Sequence, residues 1–257
     1  MQKSLSILFF AVFCITATNA QKKQITVEEI YGDAFKTKGM DALRSMKDGK
    51  HYTVLNLNET TEKASIDKYD YKTLEKVETI VSSSGLDGID FESYEFSADE
   101  SKLLLATEAE NIYRHSRFGI YYVYDIASKS IVKISDDKIR SPALSSNGKQ
   151  VAYVFENNIY LMDISSKTTK QITADGEKNK IINGVTDWVY EEEFAFVRAF
   201  QWNSDGSKIA FLRFDETNVP LFSMDVFGTG LYPMEEEFKY PKAGEENAQV
   251  TLHLYDL

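Results

Sequence analysis

Four stretches of the chain share one order of polar and apolar positions: a polar turn, one or two polar residues, then a short strand rich in apolar side chains. Lys47-Asp48-Gly49-Lys50 precedes His51-Tyr52-Thr53-Val54-Leu55, and Ala98-Asp99-Glu100-Ser101 precedes Leu103-Leu104-Leu105-Ala106. Ser146-Asn147-Gly148-Lys149 precedes Val151-Ala152-Tyr153-Val154-Phe155, and Ser204-Asp205-Gly206-Ser207 precedes Ile209-Ala210-Phe211-Leu212. The turn acids or amides stand at 48, 99, 147 and 205, spacings of 51, 48 and 58 residues. Asp-Gly and Asn-Gly are hairpin signals because glycine accepts φ > 0 at little cost. A second signature recurs in phase with the first. Tyr121-Tyr122-Val123-Tyr124-Asp125-Ile126 leads through Ala127-Ser128-Lys129-Ser130 into Ile131 to Ile134. Ile159-Tyr160-Leu161-Met162-Asp163-Ile164 leads through Ser165-Ser166-Lys167-Thr168 into a strand near Gln171-Ile172-Thr173.

Each period therefore holds about four strands, and a repeat of about 40–50 residues predicts propeller blades. A β-sandwich with coincidental turns is the competing architecture, and two signatures in phase favour the propeller. The expected fold is all-β: a partial β-propeller of four-stranded antiparallel blades. Ahead of it, Thr26 and Glu29 form a capping-box pair in Ile25 to Ile30, which predicts one short N-terminal helix. Thr251-Leu252-His253-Leu254-Tyr255-Asp256-Leu257 repeats the third-strand signature without a fourth strand after it. An unpaired apolar edge is one that proteins avoid, so the expectation is a truncated part of a longer protein.

Residues 1–20 break the pattern. Lys3 precedes the apolar run Leu5 to Ala17, and Thr18-Asn19-Ala20 supplies small residues before Gln21. This is the layout of a secretory signal peptide, with 21–257 as the mature propeller region. The run falls short of the roughly 20 apolar residues of a membrane span. Cys14 could suggest a lipoprotein, but bulky Phe13 stands where a small residue normally precedes a lipidated cysteine. Cys14 is the only cysteine, so the mature chain has no disulfide, thiol nucleophile or Cys-ligated metal. The expected location is exported: periplasmic, cell-surface or extracellular.

Composition narrows the partners. The 29 Lys+Arg against 40 Asp+Glu give a net charge of −11, which repels a phosphate backbone and favours cationic ligands such as a free amino terminus. His51, His115 and His253 stand on different repeats, without metal-ligand spacing. Neither G-x-S-x-G nor a glycine-rich phosphate loop occurs, so no catalytic residue, metal or cofactor is expected in this chain.

The unusual segment is Asp187-Trp188-Val189-Tyr190-Glu191-Glu192-Glu193-Phe194, inside the longest of the three spacings. Consecutive carboxylates repel unless solvated or paired with a cation. Trp188, Tyr190 and Phe194 around them predict partial burial, and partly buried acids without a fixed partner suit an ammonium or guanidinium ligand. A solvated acidic run is the alternative, and it is the reading adopted for Met234-Glu235-Glu236-Glu237-Phe238. For two neighbours to grip one cation, a short helical turn or irregular backbone is required. Arg114, in Tyr113-Arg114-His115-Ser116, offers a planar fork for a carbonyl or carboxylate, or is an exposed salt-bridge partner.

Asp187 to Glu193 resembles the double-glutamate motif of the dipeptidyl peptidase IV family, and Tyr113-Arg114-His115-Ser116 resembles that family's substrate-binding arginine segment. Val219-Pro220, Tyr240-Pro241-Lys242-Ala243-Gly244 and Ile25 to Ile30 are also similar, in order along nearly all of the mature chain. The segments resemble those of exported enzymes of Bacteroidetes-type bacteria. The resemblance implies a propeller of about eight blades followed by an α/β-hydrolase domain with Ser, Asp and His, a serine exopeptidase that releases N-terminal X-Pro or X-Ala dipeptides, usually as a homodimer. It further implies that Glu192 and Glu193 hold the substrate's α-ammonium and Arg114 the peptide carbonyl, with Glu191, Trp188 and Tyr190 supporting. Two carboxylates at a fixed distance from a nucleophile would act as a ruler and exclude endopeptidase cleavage. The segment from about Phe214 to Val250 is the expected dimer contact. The chain as given is expected not to hydrolyse peptides by itself. The alternative is a stand-alone envelope propeller-like protein that binds peptides or amines.

Overall fold

A computed structural model of the chain describes residues 24–37, 39–58 and 60–257. The leader read over 1–20 lies outside the described residues. The chain divides into two units, one ending at Asp41 and the other running from Ala42 to Leu257. In the first, Val27–Tyr31 forms helix α1, and the capping box is present. The Glu29 amide donates to Thr26 Oγ1 and the Thr26 amide to Glu29 Oε2, both at 3.2 Å.

In the second unit the repeats become sheets. The first comprises β1 (Leu43–Ser45), β2 (His51–Asn58), β3 (Lys63–Asp70) and β4 (Lys76–Ser82), antiparallel in that order. Next come β5 (Ser93–Phe96), β6 (Lys102–Asn111), β7 (Arg117–Asp125) and β8 (Ile131–Lys133). The third set is β9 (Ile139–Leu144), β10 (Gln150–Phe155), β11 (Asn158–Asp163) and β12 (Thr169–Gln171). These two blades are stitched together, because β9 pairs β7 through Phe118 and Gly119 before it joins β10.

The fourth blade departs from the plan of one strand per position. Its first strand is split into β13 (Ile181–Asn183) and β14 (Phe200–Trp202), which share one edge of β15 (Lys208–Asp215). Between the two pieces lies helix α2 (Trp188–Phe194). A hairpin of β16 (Leu221–Val226) and β17 (Met234–Lys239) follows β15, and β18 (Gln249–Asp256) then pairs along the whole of β15. β18 is thus the third strand of its blade, as its signature predicts.

From the second blade on, the second strand carries a continuous apolar run, Leu103 to Ala106, Val151 to Phe155 and Ile209 to Leu212, because both faces of the sheet are covered. Leu103 and Leu105 join Ile66, Val81 and Phe91 in the core between the first two blades, while Leu104 joins Val123, Ile139 and Val151 in the next. Val151 and Tyr153 face back to that core, and Ala152 and Val154 face forward to Phe200, Trp202 and Ile209. Two-residue alternation thus sends neighbours into different interfaces.

The recurrent polar residues lock the turns. Asp48, Asp99, Asn147 and Asp205 each accept, through a side-chain oxygen, from the backbone amide two residues on, at 2.8–3.1 Å. The acids ending the third strands do the same work. Asp163 accepts from the Ser165 and Ser166 amides, Asp125 from Ser128, and Asp70 from Lys72 and Thr73. These Asx-type turns satisfy amides that the ladder leaves free.

Candidate functional site

Helix α2 is a seven-residue insertion whose ends are both specified locally. Asp187 caps it, accepting at 2.9 Å from the Tyr190 amide, and Ala195 ends it in the left-handed region at φ 53°. Of the two conformations expected for the acidic run, a short helical turn or irregular backbone, the structure shows the first. Successive residues on a helix diverge by about 100°, so the three glutamates meet three environments.

Glu191 points inward and is fully buried. Its Oε1 accepts from the backbone amides of His115 and Ser116, each at 2.8 Å. This is a charge-assisted clasp between α2 and the turn joining β6 to β7, which carries Arg114. Glu192 lies at the rim, its Oε2 3.1 Å from Arg114 Nε, with side chains 15% and 71% exposed respectively. Glu193 is exposed and makes no hydrogen bond or ion pair among the described residues. Arg114 is an exposed salt-bridge partner, and the acid it meets belongs to the candidate motif.

The aromatic residues of the motif are packing elements. Trp188 lies 4.8 Å from Tyr240 and 6.0 Å from Phe238, anchoring the hairpin, and Tyr190 packs on Phe214 at 5.1 Å and on Phe194 at 5.2 Å. Glu235, Glu236 and Glu237 are exposed on β17, in keeping with a solvated run. The histidines are dispersed. His51 Nδ1 lies 2.5 Å from Asp48 Oδ2, His115 contributes its backbone amide to Glu191, and His253 stacks on Phe211.

Beside α2 is a cavity of about 530 Å³ that sequence reasoning did not find. Arg140 of β9 and Glu216, just after β15, line it together with Tyr113, Asp187, Trp188 and Phe238. Burial lowers the Arg140 pKa, and it raises that of Asp187. Burial, reinforced by the Asp187 charge, pushes Glu216 up to about 7, and burial pushes Tyr113 up to about 12. One signal for Arg140 stood in the sequence, a lone cation in the otherwise uncharged strand segment Ile139 to Leu144. Glu216 had none, since an acid after a strand is ordinary.

Comparison with known proteins places this arrangement. Residues 97–257 match the family model described as the dipeptidyl peptidase IV (DPP IV) N-terminal region. The crystal structure of Porphyromonas gingivalis dipeptidyl peptidase 4 superposes with a TM-score of 0.82 at 37% identity, covering 91% of this chain and 34% of that one. A probable dipeptidyl-aminopeptidase B of Neurospora crassa is 30% identical over 273 residues, 94% of this chain and 29% of the relative. Human prolyl endopeptidase FAP is 33% identical over 181 residues, 69% of this chain and 24% of the relative. The chain thus spans about a third or less of the length of these proteins. The all-β architecture is that of the DPP4 N-terminal propeller. With the blades, the capped acidic helix and the family match in agreement, the chain belongs to the dipeptidyl peptidase IV family, in its N-terminal region.

Proposed function

We propose that this chain is the part of an exported, DPP IV-like serine exopeptidase that receives the free amino terminus of a peptide substrate. In this reading Glu192 and Glu193 hold the α-ammonium and Arg114 binds the peptide carbonyl. Glu191 fixes the distance between the two groups. The observation that carries the proposal is the clasp of Glu191 on the His115 and Ser116 amides, which brings acids and arginine together across 75 or more residues of sequence.

The Arg114–Glu192 pair does not occupy the site against a ligand. An ion pair with so exposed a guanidinium contributes about 0–1 kcal/mol, less than a charged hydrogen bond to a bound ammonium, about 1.5–3 kcal/mol. A peptide amine can therefore take over Glu192. Dimerisation through the β16–β17 hairpin belongs to the same proposal, supported by the exposure of Phe227, Leu231 and Tyr232 around its tip. Export rests on the leader at 1–20. Among the described residues no helix is long and apolar enough to cross a membrane.

The test is steady-state hydrolysis of a chromogenic Gly-Pro anilide by the full-length protein. Glu192→Gln and Glu193→Gln should each raise KM by about 10- to 100-fold, one lost charged contact apiece. An N-acetylated anilide should be refused. Unchanged kinetics in both variants would remove the assignment, and turnover of the acetylated substrate would remove the ruler argument.

A further inference from the structure

The cavity beside α2 holds two buried ionisable side chains of opposite charge that do not pair with each other. Arg140 is 9% exposed and Glu216 6%. Neither side chain makes a hydrogen bond or an ion pair within 4 Å among the described residues, and Arg140 Nε is a buried donor without an acceptor. Burying a charge without a partner is costly, and a native fold retains such groups where something meets them. Glu191 compensates Arg140 electrostatically but forms no ion pair with it: its Oε1 accepts from two backbone amides, and its Oε2, like Arg140 Nε, is buried without a hydrogen-bond partner among the described residues.

The backbone holds Arg140 in place from both sides, opposite Phe118 of β7 and Val154 of β10. Ser141, the next residue, stands at φ 48°, where β9 passes from one blade to the next. Such a local irregularity re-aims side chains, and here the guanidinium lies over the Phe118 ring, 5.8 Å from its centroid. Glu216 lines the same cavity, seconded by Asp187, and Trp188, Tyr113 and Phe238 supply aromatic wall. A volume of about 530 Å³ lies within the range of small-molecule sites.

We propose that this cavity binds a small zwitterion of amino-acid or dipeptide size, its carboxylate on Arg140 and its ammonium on Glu216 with Asp187 behind. One such ligand compensates both buried charges at once, which neither a simple anion nor a simple amine achieves. The site is separate from the rim acids Glu192 and Glu193, which do not line the cavity.

The experiment is calorimetric titration of the full chain with glycyl-proline, free proline, N-acetylglycyl-proline and glycyl-prolinamide. Zwitterions should bind, and blocking either ligand terminus should weaken binding about tenfold or more. Comparing the dipeptide with proline decides between the two sizes. Glu216→Gln should abolish discrimination against the acetylated ligand, and Arg140→Met discrimination against the amide. Glu235→Gln, on the exposed run of β17 and outside the cavity lining, should change nothing. Equal affinity for free and blocked ligands, or no binding of either zwitterion, would overturn the proposal. So would undiminished discrimination against the acetylated ligand in Glu216→Gln, which would assign the ammonium to the rim acids. The blocked ligands need no variant, so the test stands even where Arg140→Met fails to fold.

Discussion

Glu216 sits at the end of β15 with its carboxylate out of water, close enough to Asp187 for their charges to oppose each other. Its pKa of about 7 exceeds the ordinary 4.5, only partly offset by Lys239, so folding favours the neutral form. The stability linked to this group is therefore complete below pH 4.5 and is lost as pH rises to about 7. Glu216→Gln, neutral throughout, should match the wild type in acid and exceed it above pH 7 by up to about 3 kcal/mol. Urea midpoints at both ends of this range check it. A difference that does not change with pH would show that the carboxylate is not protonated by burial. Glu191, also buried, is met instead by two backbone amides at its Oε1.

The turn between the first and second strands serves each blade alone and also joins consecutive blades. Asn147 Nδ2 donates to the Asp205 carbonyl at 3.1 Å, and Ser146 Oγ to the Asn203 carbonyl at 2.7 Å, fastening the third blade to the fourth. Gly49 and Gly206 both stand in the left-handed region, at φ 65° and 72°. A methyl group at Gly49 would meet open space, whereas at Gly206 it would come within 2.6 Å of Asn147 Nδ2. Both alanine variants should lose about 1–2 kcal/mol to backbone strain. Gly206→Ala should lose about 1 kcal/mol more, for the broken clasp. Thermal or urea unfolding of the two variants side by side measures the difference, and equal losses would mean the clasp contributes nothing. The helix insertion illustrates another rule at this scale. Splitting the first strand into β13 and β14 costs ladder bonds in the middle of the strand but projects α2 toward the β6–β7 turn.

At the scale of the molecule, a chain with a net charge of −11 repels its copies, so any self-association must come from a local apolar surface. The hairpin supplies one. Phe227, Leu231 and Tyr232 are 78%, 90% and 82% exposed, and Met234 and Leu221 extend the patch along β17 and β16. If this arm makes the dimer, Leu231→Asp with Tyr232→Asp should convert it to monomer in sedimentation equilibrium, with circular dichroism and thermal midpoint unchanged. A wild type that stays monomeric, or a variant that still dimerises, would exclude the arm.

Much of this was written locally. The turn acids at 48, 99 and 205, the turn amide at 147, and the paired-strand signature at 121 and 159 depend on bonds between residues two or three apart, so they are visible without a fold. The first blade's copy of the second signature, Tyr69-Asp70-Tyr71-Lys72-Thr73, makes the same Asp70 bonds, but charged residues interrupt its strand and hide the match in the sequence. The Asp187 cap also rests on a local bond, yet the sequence left a helical turn and irregular backbone both open for the acidic run. Which glutamate does what was not. Glu191, Glu192 and Glu193 are chemically identical, and only the approach of His115, Ser116 and Arg114 makes one a buried brace, one a rim acid and one free. The unpaired charges of Arg140 and Glu216 are likewise set by desolvation from strands distant in sequence. Local hydrogen bonds are recorded in the order of residues, whereas burial and charge pairing between remote segments exist only once the blades have packed.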